Sequence, residues 1–247
     1  MLETLERETA PKPTHSVIWL HGLGADGRDF EPIVPQLLRA GWPPLRFVFP
    51  HAPVRPITIN AGMRMRGWYD IAGFDLAQKQ DETGIRASIA QVETLIEREA
   101  QRGVPAECVI LAGFSQGGAI ALAGGIRHAR TLGGIVALST YLPIAEIVAA
   151  ERHTANARTP IFMAHGAFDP VVPQMLGELS RERLLGFGHP LSWHSYRWRT
   201  RCARRRFRIW RTGWGSGWPP ECFDNVTRKA GCTLPERWSA VVFKSLS

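Results

Sequence analysis

Residues 109–118 read VILAGFSQGG, an apolar run that ends in Gly113-Phe114-Ser115-Gln116-Gly117 and opens into the small-residue helical pattern of 116–127. Strand, sharp turn and helix in that order leave a serine exposed at the top of a sheet and at the N-terminus of a helix. Glycines two before and two after the serine suit a turn that strains the serine backbone and brings strand and helix too close for side chains. A bare GxSxG also occurs in glycine-rich turns that carry no chemistry, so the surrounding sequence decides what it means.

Outward from this turn, short apolar runs alternate with longer helical patterns. Residues 16–20 (SVIWL), 45–49 (LRFVF), 109–111 (VIL), 134–138 (GIVAL), 160–164 (PIFMA) and 191–196 (LSWHSY) read as strands. Residues 30–40, 88–102, 116–127 and 175–187 repeat apolar side chains at three- and four-residue spacing, and Gly41, Gly103 and Gly186 stand where helix C-termini are expected. The alternation predicts an α/β fold, with a mostly parallel open sheet and helices on both faces. Residues 1–196 hold no internal repeat and no linker, so they read as one domain.

Composition supports a globular chain: of 247 residues, 45% are hydrophobic and 21% charged, enough apolar material for one large core. Residues 1–13 (MLETLERETAPKP) lack the apolar run of a signal peptide, and no stretch of about 18 uncharged apolar residues exists. The expectation is a cytoplasmic protein without a membrane span. Cys108, Cys202, Cys222 and Cys232 make neither a disulfide framework nor a CxxC pair, so no metal or other cofactor is expected.

The net charge of +8 is unevenly spread: residues 1–196 hold 18 Lys and Arg against 19 Asp and Glu, while 197–247 hold 12 against 3. The second segment also carries five of the nine tryptophans and three of the four cysteines, which marks a boundary near Tyr196.

Two loops surround the serine turn with matching chemistry. His21-Gly22-Leu23-Gly24 follows the first strand, where the backbone N–H of Leu23, with that of Gln116, could hold a developing oxyanion. His21 itself reads as an imidazole bracing the loop. Asp169, in HGAFDPVVP at 165–173, lies past the carboxyl end of a strand and suits a carboxylate that orients a histidine base.

WLHGLGADGRDF (19–30), FPHAPVRPITINAGMRMRGWYDI (49–71), LAGFSQGGAIAL (111–122) and HGAFDPVVP (165–173) together resemble the bacterial carboxylesterase and acyl-protein thioesterase family, over about 14–196. The resemblance implies an α/β-hydrolase without a large lid, using a Ser-Asp-His triad on a small-molecule carboxylic ester or acyl thioester, with a homodimer possible. By the same resemblance Ser115 is the nucleophile, Asp169 the triad acid, and Leu23 and Gln116 the oxyanion donors. Met63, Met65 and Trp68 match the family's substrate loop and are candidates for an apolar wall around an acyl chain. Thr140 stands where the family usually has glycine, a departure expected to narrow the pocket.

The family's base comes a few residues past Tyr196, in a peptide of the type YPMxHS. Here the chain reads Tyr196-Arg197-Trp198-Arg199-Thr200-Arg201, and the last histidine is His194. Alternation places His194 inside a strand, and His189 belongs at the opposite end of the sheet. With one choice of synonymous codons, a single cytosine inserted before codon 197 yields PMAHSVCAEEIPDLADWL, with a histidine in place of Thr200 and then an amphipathic helix. Residues 197–247 therefore read as a frame-shifted segment, which predicts disorder there. Two other functions compete: an inactive acyl-binding pseudo-hydrolase, and nucleic-acid binding through 197–211 (RWRTRCARRRFRIWR), although out-of-frame translation of a GC-rich gene yields such a run without any function. No specific nucleic acid is expected as partner. A basic, aromatic segment should nevertheless retain DNA at low salt and release it by roughly 200 mM, which filter binding across a salt series would read.

Overall fold

The structure, a computed structural model, describes residues 1–38, 41–73 and 80–196, and the predicted disorder of 197–247 falls outside the described residues. In chain order the elements are β1 (Thr4–Glu8), β2 (His15–Leu20), α1 (Val34–Leu37), β3 (Leu45–Pro50), β4 (Val54–Ile57), β5 (Met63–Arg66), α2 (Glu82–Gln101), β6 (Val109–Phe114), α3 (Gln116–Arg127), β7 (Gly134–Leu138), α4 (Val148–Glu151), β8 (Ile161–Gly166), α5 (Gln174–Gly186) and β9 (Leu191–Tyr196). Seven strands form one sheet in the order β1-β3-β2-β6-β7-β8-β9, parallel throughout except for β1 against β3.

Alternation along the strands builds two core layers. Val17 and Trp19 of β2 join Phe47, Phe49, Ile110 and Phe162 on one face, packed by Phe30 and Val34. Ile18 and Leu20 join Val48 and Leu111 on the other, packed by Val92, Leu95 and Ile96 of α2 and by Ala119 and Ile120 of α3. Leu122 and Ile126 of α3 and Leu184 of α5 extend that second layer over β7 and β8. Strand order reverses between β2 and β6, so the loops after these two strands diverge and leave a crevice at their carboxyl ends.

The six expected strands are present, and three features differ from the sequence reading. The helix expected at 30–40 is four residues long, preceded by two short 3-10 turns, because Pro32 and Pro35 each remove a backbone donor. Gly41 and Gly103 take left-handed conformations (φ 86° and 87°), but Gly186 is the last residue of α5 and the chain turns instead at Gly188 (φ 81°). The hairpin of β4 and β5 and the charged edge strand β1 (TLERE) lie outside the sequence expectation, since neither carries an apolar run.

Ion pairs fasten that edge. Glu99 of α2 is fully buried; its carboxylate meets Arg46 Nη1 of β3 at 2.8 Å and Arg102 Nη1 at 3.1 Å. Glu6 of β1 meets Arg98 at 2.7 Å and Arg102 at 2.9 Å, so α2, β1 and β3 share one network. Removing one partner of a buried pair strands the other charge in a low dielectric. Glu99→Ala is therefore expected to lower the unfolding free energy by about 3–5 kcal/mol in urea titration. A loss under about 1 kcal/mol would show that Glu8, 2.9 Å from Arg46 Nε, suffices to hold the buried guanidinium.

Candidate active site

Ser115 lies between β6 and α3 with φ 52° and ψ −120°, a left-handed φ that an L side chain rarely adopts. Such a conformation costs on the order of 1–3 kcal/mol and persists only where the surroundings enforce it. Here they do so by contact. A Cβ on Gly113 would stand 2.4 Å from the backbone of Gly117, and one on Gly117 would stand 2.3 Å from the Leu20 carbonyl oxygen. The Ser115 N–H donates to the Leu138 carbonyl at 2.8 Å, extending the sheet ladder, while its own carbonyl accepts from Ala119 N–H at 3.1 Å as the first turn of α3. The side chain is half-buried, and its Oγ has no hydrogen-bond partner among the described residues.

Thr140 acts on the same turn. Its Oγ1 donates to the Ser115 carbonyl at 2.7 Å, and its Cγ2 lies 2.9 Å from a Cβ built on Gly118. It is almost fully buried against the elbow, so it clamps backbone and does not narrow a pocket.

The second loop is held by a polar frame. Gln116 Oε1 accepts from Trp68 N–H at 2.8 Å and its Nε2 donates to the Tyr69 carbonyl at 2.7 Å. Trp68 Nε1 donates to the His21 carbonyl at 2.8 Å. His21 Nε2 accepts from Ala52 N–H at 3.0 Å, which leaves Nδ1 as the protonated nitrogen that donates to the Gly22 carbonyl at 2.7 Å. The Leu23 side chain packs beside Gly67, whose added Cβ would lie 3.0 Å from Leu23 Cδ1. With the loop so fixed, the Leu23 and Gln116 N–H groups find no acceptor among the described residues. Two unspent donors therefore border the serine turn.

Of the candidate wall residues, Met65 is half-buried with Sδ 3.5 Å from a Cβ built on Gly24, and Met63 is half exposed on the hairpin. Trp68 is a correction: it is completely buried in the core layer and its indole N–H is spent on His21, so it supports the loop from beneath and offers no surface to a ligand.

Asp169 follows β8, two strands from Ser115. Its Oδ1 accepts from Val171 N–H at 2.9 Å and Val172 N–H at 3.1 Å, while Oδ2 has no hydrogen-bond partner. His165 Nε2 lies 3.7 Å from Oδ2 but donates to the Val172 carbonyl at 2.8 Å. Burial lowers the pKa of the His165 ring. Sequence reading passes over His165; its place four residues before Asp169 in a strand-to-loop motif is the available signal. Tyr196 ends β9 beside this loop, its carbonyl accepting from Ala167 N–H at 2.7 Å, so the place expected for a base lies among residues outside those described. His194 pairs in β9 with Ala164 and stacks on Phe162 at 5.0 Å between ring centroids, and His189 is buried in the turn that leads into β9.

The family model described as phospholipase/carboxylesterase matches residues 6–205. A protein named acyl-protein thioesterase 1 from Neurospora crassa is 42% identical over 193 residues, covering 74% of this chain and 78% of that one. Its namesake from Yarrowia lipolytica is 40% identical over 188 residues, covering 74% and 82%. Among solved structures, Arabidopsis thaliana SOBER1 superimposes with a TM-score of 0.71 at 30% identity, covering 76% of this chain and 91% of that one. Zea mays acyl-protein thioesterase 2 gives 0.67 at 28% identity, covering 81% and 93%. These relatives are eukaryotic and lend no support to the qualifier "bacterial". No helix among the described residues is long and apolar enough to cross a membrane.

The frame around the loop at 21–24 carries its own pH dependence. Burial pushes the His21 pKa down to about 4, overcoming the raising effect of its bond to the Gly22 carbonyl. The unfolded chain takes up a proton near pH 6.5 and the native one does not, so stability is complete above that pH and falls as pH drops toward 4. His21 alone would account for up to roughly 3 kcal/mol of this loss. Urea unfolding at pH 7.5 and pH 4.5 should show the decline, with a visibly smaller one in His21→Gln; an equal decline in both proteins would contradict the assignment.

Proposed function

This chain belongs to the phospholipase/carboxylesterase family of α/β-hydrolases, and on that premise we propose that Ser115 attacks the carbonyl carbon of a carboxylic ester or thioester. The observation that carries this reading is the enforced backbone of Ser115, φ 52° and ψ −120°, in a half-buried residue whose Oγ no described residue engages. The tetrahedral oxyanion would be held by the N–H groups of Leu23 and Gln116, each worth about a hundred- to a thousand-fold in rate. Collapse expels an alcohol or thiol and leaves an acyl group on Ser115 Oγ, which water then hydrolyses. Met65, with Met63 beside it, would flank the acyl chain, a task that flexible thioethers suit. A cytoplasmic, small-molecule or acyl-protein substrate fits this reading.

Each step needs a proton moved from Ser115 Oγ or water, and no histidine comes after Tyr196. We read residues 197–247 as an out-of-frame product that has replaced the peptide bearing the base. Supporting this is the abrupt rise in Arg, Trp and Cys after Tyr196, together with the family-like peptide that one inserted base yields under one choice of synonymous codons. The chain as it stands should hydrolyse esters at a small residual rate, about a thousand-fold over water, from the oxyanion donors alone, and Ser115→Ala should lower that rate only modestly. Restoring the frame should raise kcat/KM by several orders of magnitude, a gain that Ser115→Ala then abolishes. Full activity in the present chain, silenced by His194→Ala, would make His194 the base and leave the frame-shift without functional consequence. Preference for a palmitoyl thioester over short p-nitrophenyl esters would place the chain with the thioesterases.

A further inference from the structure

Alternation along β5 separates two chemistries. The strand reads Met63-Arg64-Met65-Arg66, and its antiparallel register with β4 sets Val54 opposite Arg66, Arg55 opposite Met65, Pro56 opposite Arg64 and Ile57 opposite Met63. Opposed residues share a face, so Ile57, Met63 and Met65 lie on one side of the hairpin and Val54, Pro56, Arg64 and Arg66 on the other. Burial tells the sides apart: Ile57 is completely buried and Met65 half-buried, while Val54, Pro56 and Arg64 are exposed. The methionine side faces the loop at 21–24, where Met65 Sδ lies 3.5 Å from a Cβ built on Gly24 and the Arg66 carbonyl accepts from Gly24 N–H at 2.8 Å. Arg55, also on that side, is engaged by Asp81 at 3.6 Å. The arginine side is the outer face of a ribbon fastened to the loop.

The outer guanidinium groups differ from most others in what they meet. Arg7, Arg46, Arg86, Arg98, Arg102, Arg127 and Arg130 each have a carboxylate oxygen at 2.9 Å or less. Arg64 instead donates to the Val54 carbonyl at 3.3 Å and pairs with no carboxylate among the described residues. Arg66 donates to the Ala52 carbonyl at 3.0 Å, with the exposed Glu3 carboxylate 3.9 Å away. A carbonyl accepts a hydrogen bond without neutralising charge, so this face stays positive. We propose that it receives an extended acidic peptide, the protein part of an acyl thioester whose acyl chain lies on the methionine side. The inference deepens the proposed function and rests on that reading for the acyl chain.

The spacing suits such a partner. Alternate residues of a strand stand about 6.6 Å apart, so Arg64 and Arg66 present their charges at the interval at which alternate carboxylates leave an extended chain. Guanidinium forks take carboxylates bidentately, which adds direction to attraction. Val54 and Pro56, opposite the two arginines, offer apolar contact to the aliphatic part of a glutamate. Neighbouring strands lie about 5 Å apart, so a ribbon of two strands is narrow enough for a peptide and its acyl chain to straddle at one edge. A flat anionic bilayer would press its charge on Glu3, 71% exposed beside Arg66, whereas a single extended chain passes it by.

The test offers the full chain a short peptide alternating Glu and Thr, with a photoreactive residue at its centre, at about 0.1 M salt, where surface charges still act over about 10 Å. Because residues 197–247 hold 12 Lys and Arg against 3 Asp and Glu, crosslinks are mapped by mass spectrometry so that the two basic regions are read separately. Crosslinks within 54–66 are expected. Arg64→Glu should lower their yield at subsaturating peptide about fivefold or more, since it loses one exposed pair and adds a repulsion. A probe with Gln in place of Glu should leave none there, an arm that uses the unaltered chain and holds even if Arg64→Glu does not fold. Crosslinks confined to 197–247, or crosslinks within 54–66 that are indifferent to Arg64→Glu or to the Gln probe, overturn the inference. Vesicles of phosphatidylserine and phosphatidylcholine that retain the chain but not Arg64→Glu, with no peptide crosslink within 54–66, would assign the face to a membrane and overturn it as well. Peptide crosslinks as expected, but no Ser115-dependent thioester cleavage once the reading frame is restored, would overturn the proposed function and the acyl part of the inference while supporting the peptide face.

Discussion

The Gly117 Cα lies so close to the preceding layer of the sheet that a Cβ there would stand 2.3 Å from the Leu20 carbonyl oxygen and 2.5 Å from that of His21. The start of α3 is thereby pressed onto the end of β2, and the chain leaving β6 has one residue in which to reverse direction. Ser115 absorbs that reversal as a positive φ. Its strain is sustained from both sides, by the Leu138 carbonyl on the ladder and by Thr140 Oγ1 on its own carbonyl. The same closeness brings the end of β2 alongside the serine: a Cβ on Gly22 would lie 3.6 Å from Ser115 Cβ.

This contact also dictates the polar frame. A loop pressed onto a helix start cannot pair its backbone in a ladder, so its carbonyls and amides need side-chain partners. Trp68 takes the His21 carbonyl, Gln116 takes the Trp68 and Tyr69 backbone, and the His21 ring joins Ala52 to Gly22. Those bonds engage the carbonyls of the loop, while the Leu23 and Gln116 N–H groups find no acceptor among the described residues. The polar side chain of the motif HGLG thus works as scaffold, and in the proposed reading the chemistry falls to the backbone it holds.

The sheet and the elbow are legible in the sequence because their signals are local. An apolar run with period-2 alternation, closed by glycines two before and two after a serine, admits few structures. Trp68 and Thr140 are misread because both depend on which side of a loop faces the core, and a loop has no period from which to tell. The charged strand TLERE is invisible for a related reason: as an edge strand it sets only Leu5 against the core and is further bound by ion pairs from Glu6 and Glu8 to arginines distant in the chain. Gly186 and Gly188 differ by two positions at a helix end, within the ordinary spread of helix boundaries.

The turn that holds Asp169 is built before the chain reaches residue 197. Asp169 is oriented by Val171 and Val172 N–H, the turn that presents them is tied through the Val172 carbonyl to His165, and His165 is packed against α5 and Trp193. Every one of these contacts forms within 165–193, before the chain reaches its basic segment. The serine turn and the loop at 21–24 are likewise complete by residue 140. Both halves of this arrangement are therefore built by residues that precede Tyr196, and in the proposed reading only the proton-transferring group depends on residues beyond it. In that reading a change of sequence after Tyr196 removes proton transfer while the Leu23 and Gln116 N–H groups and the buried carboxylate keep their geometry.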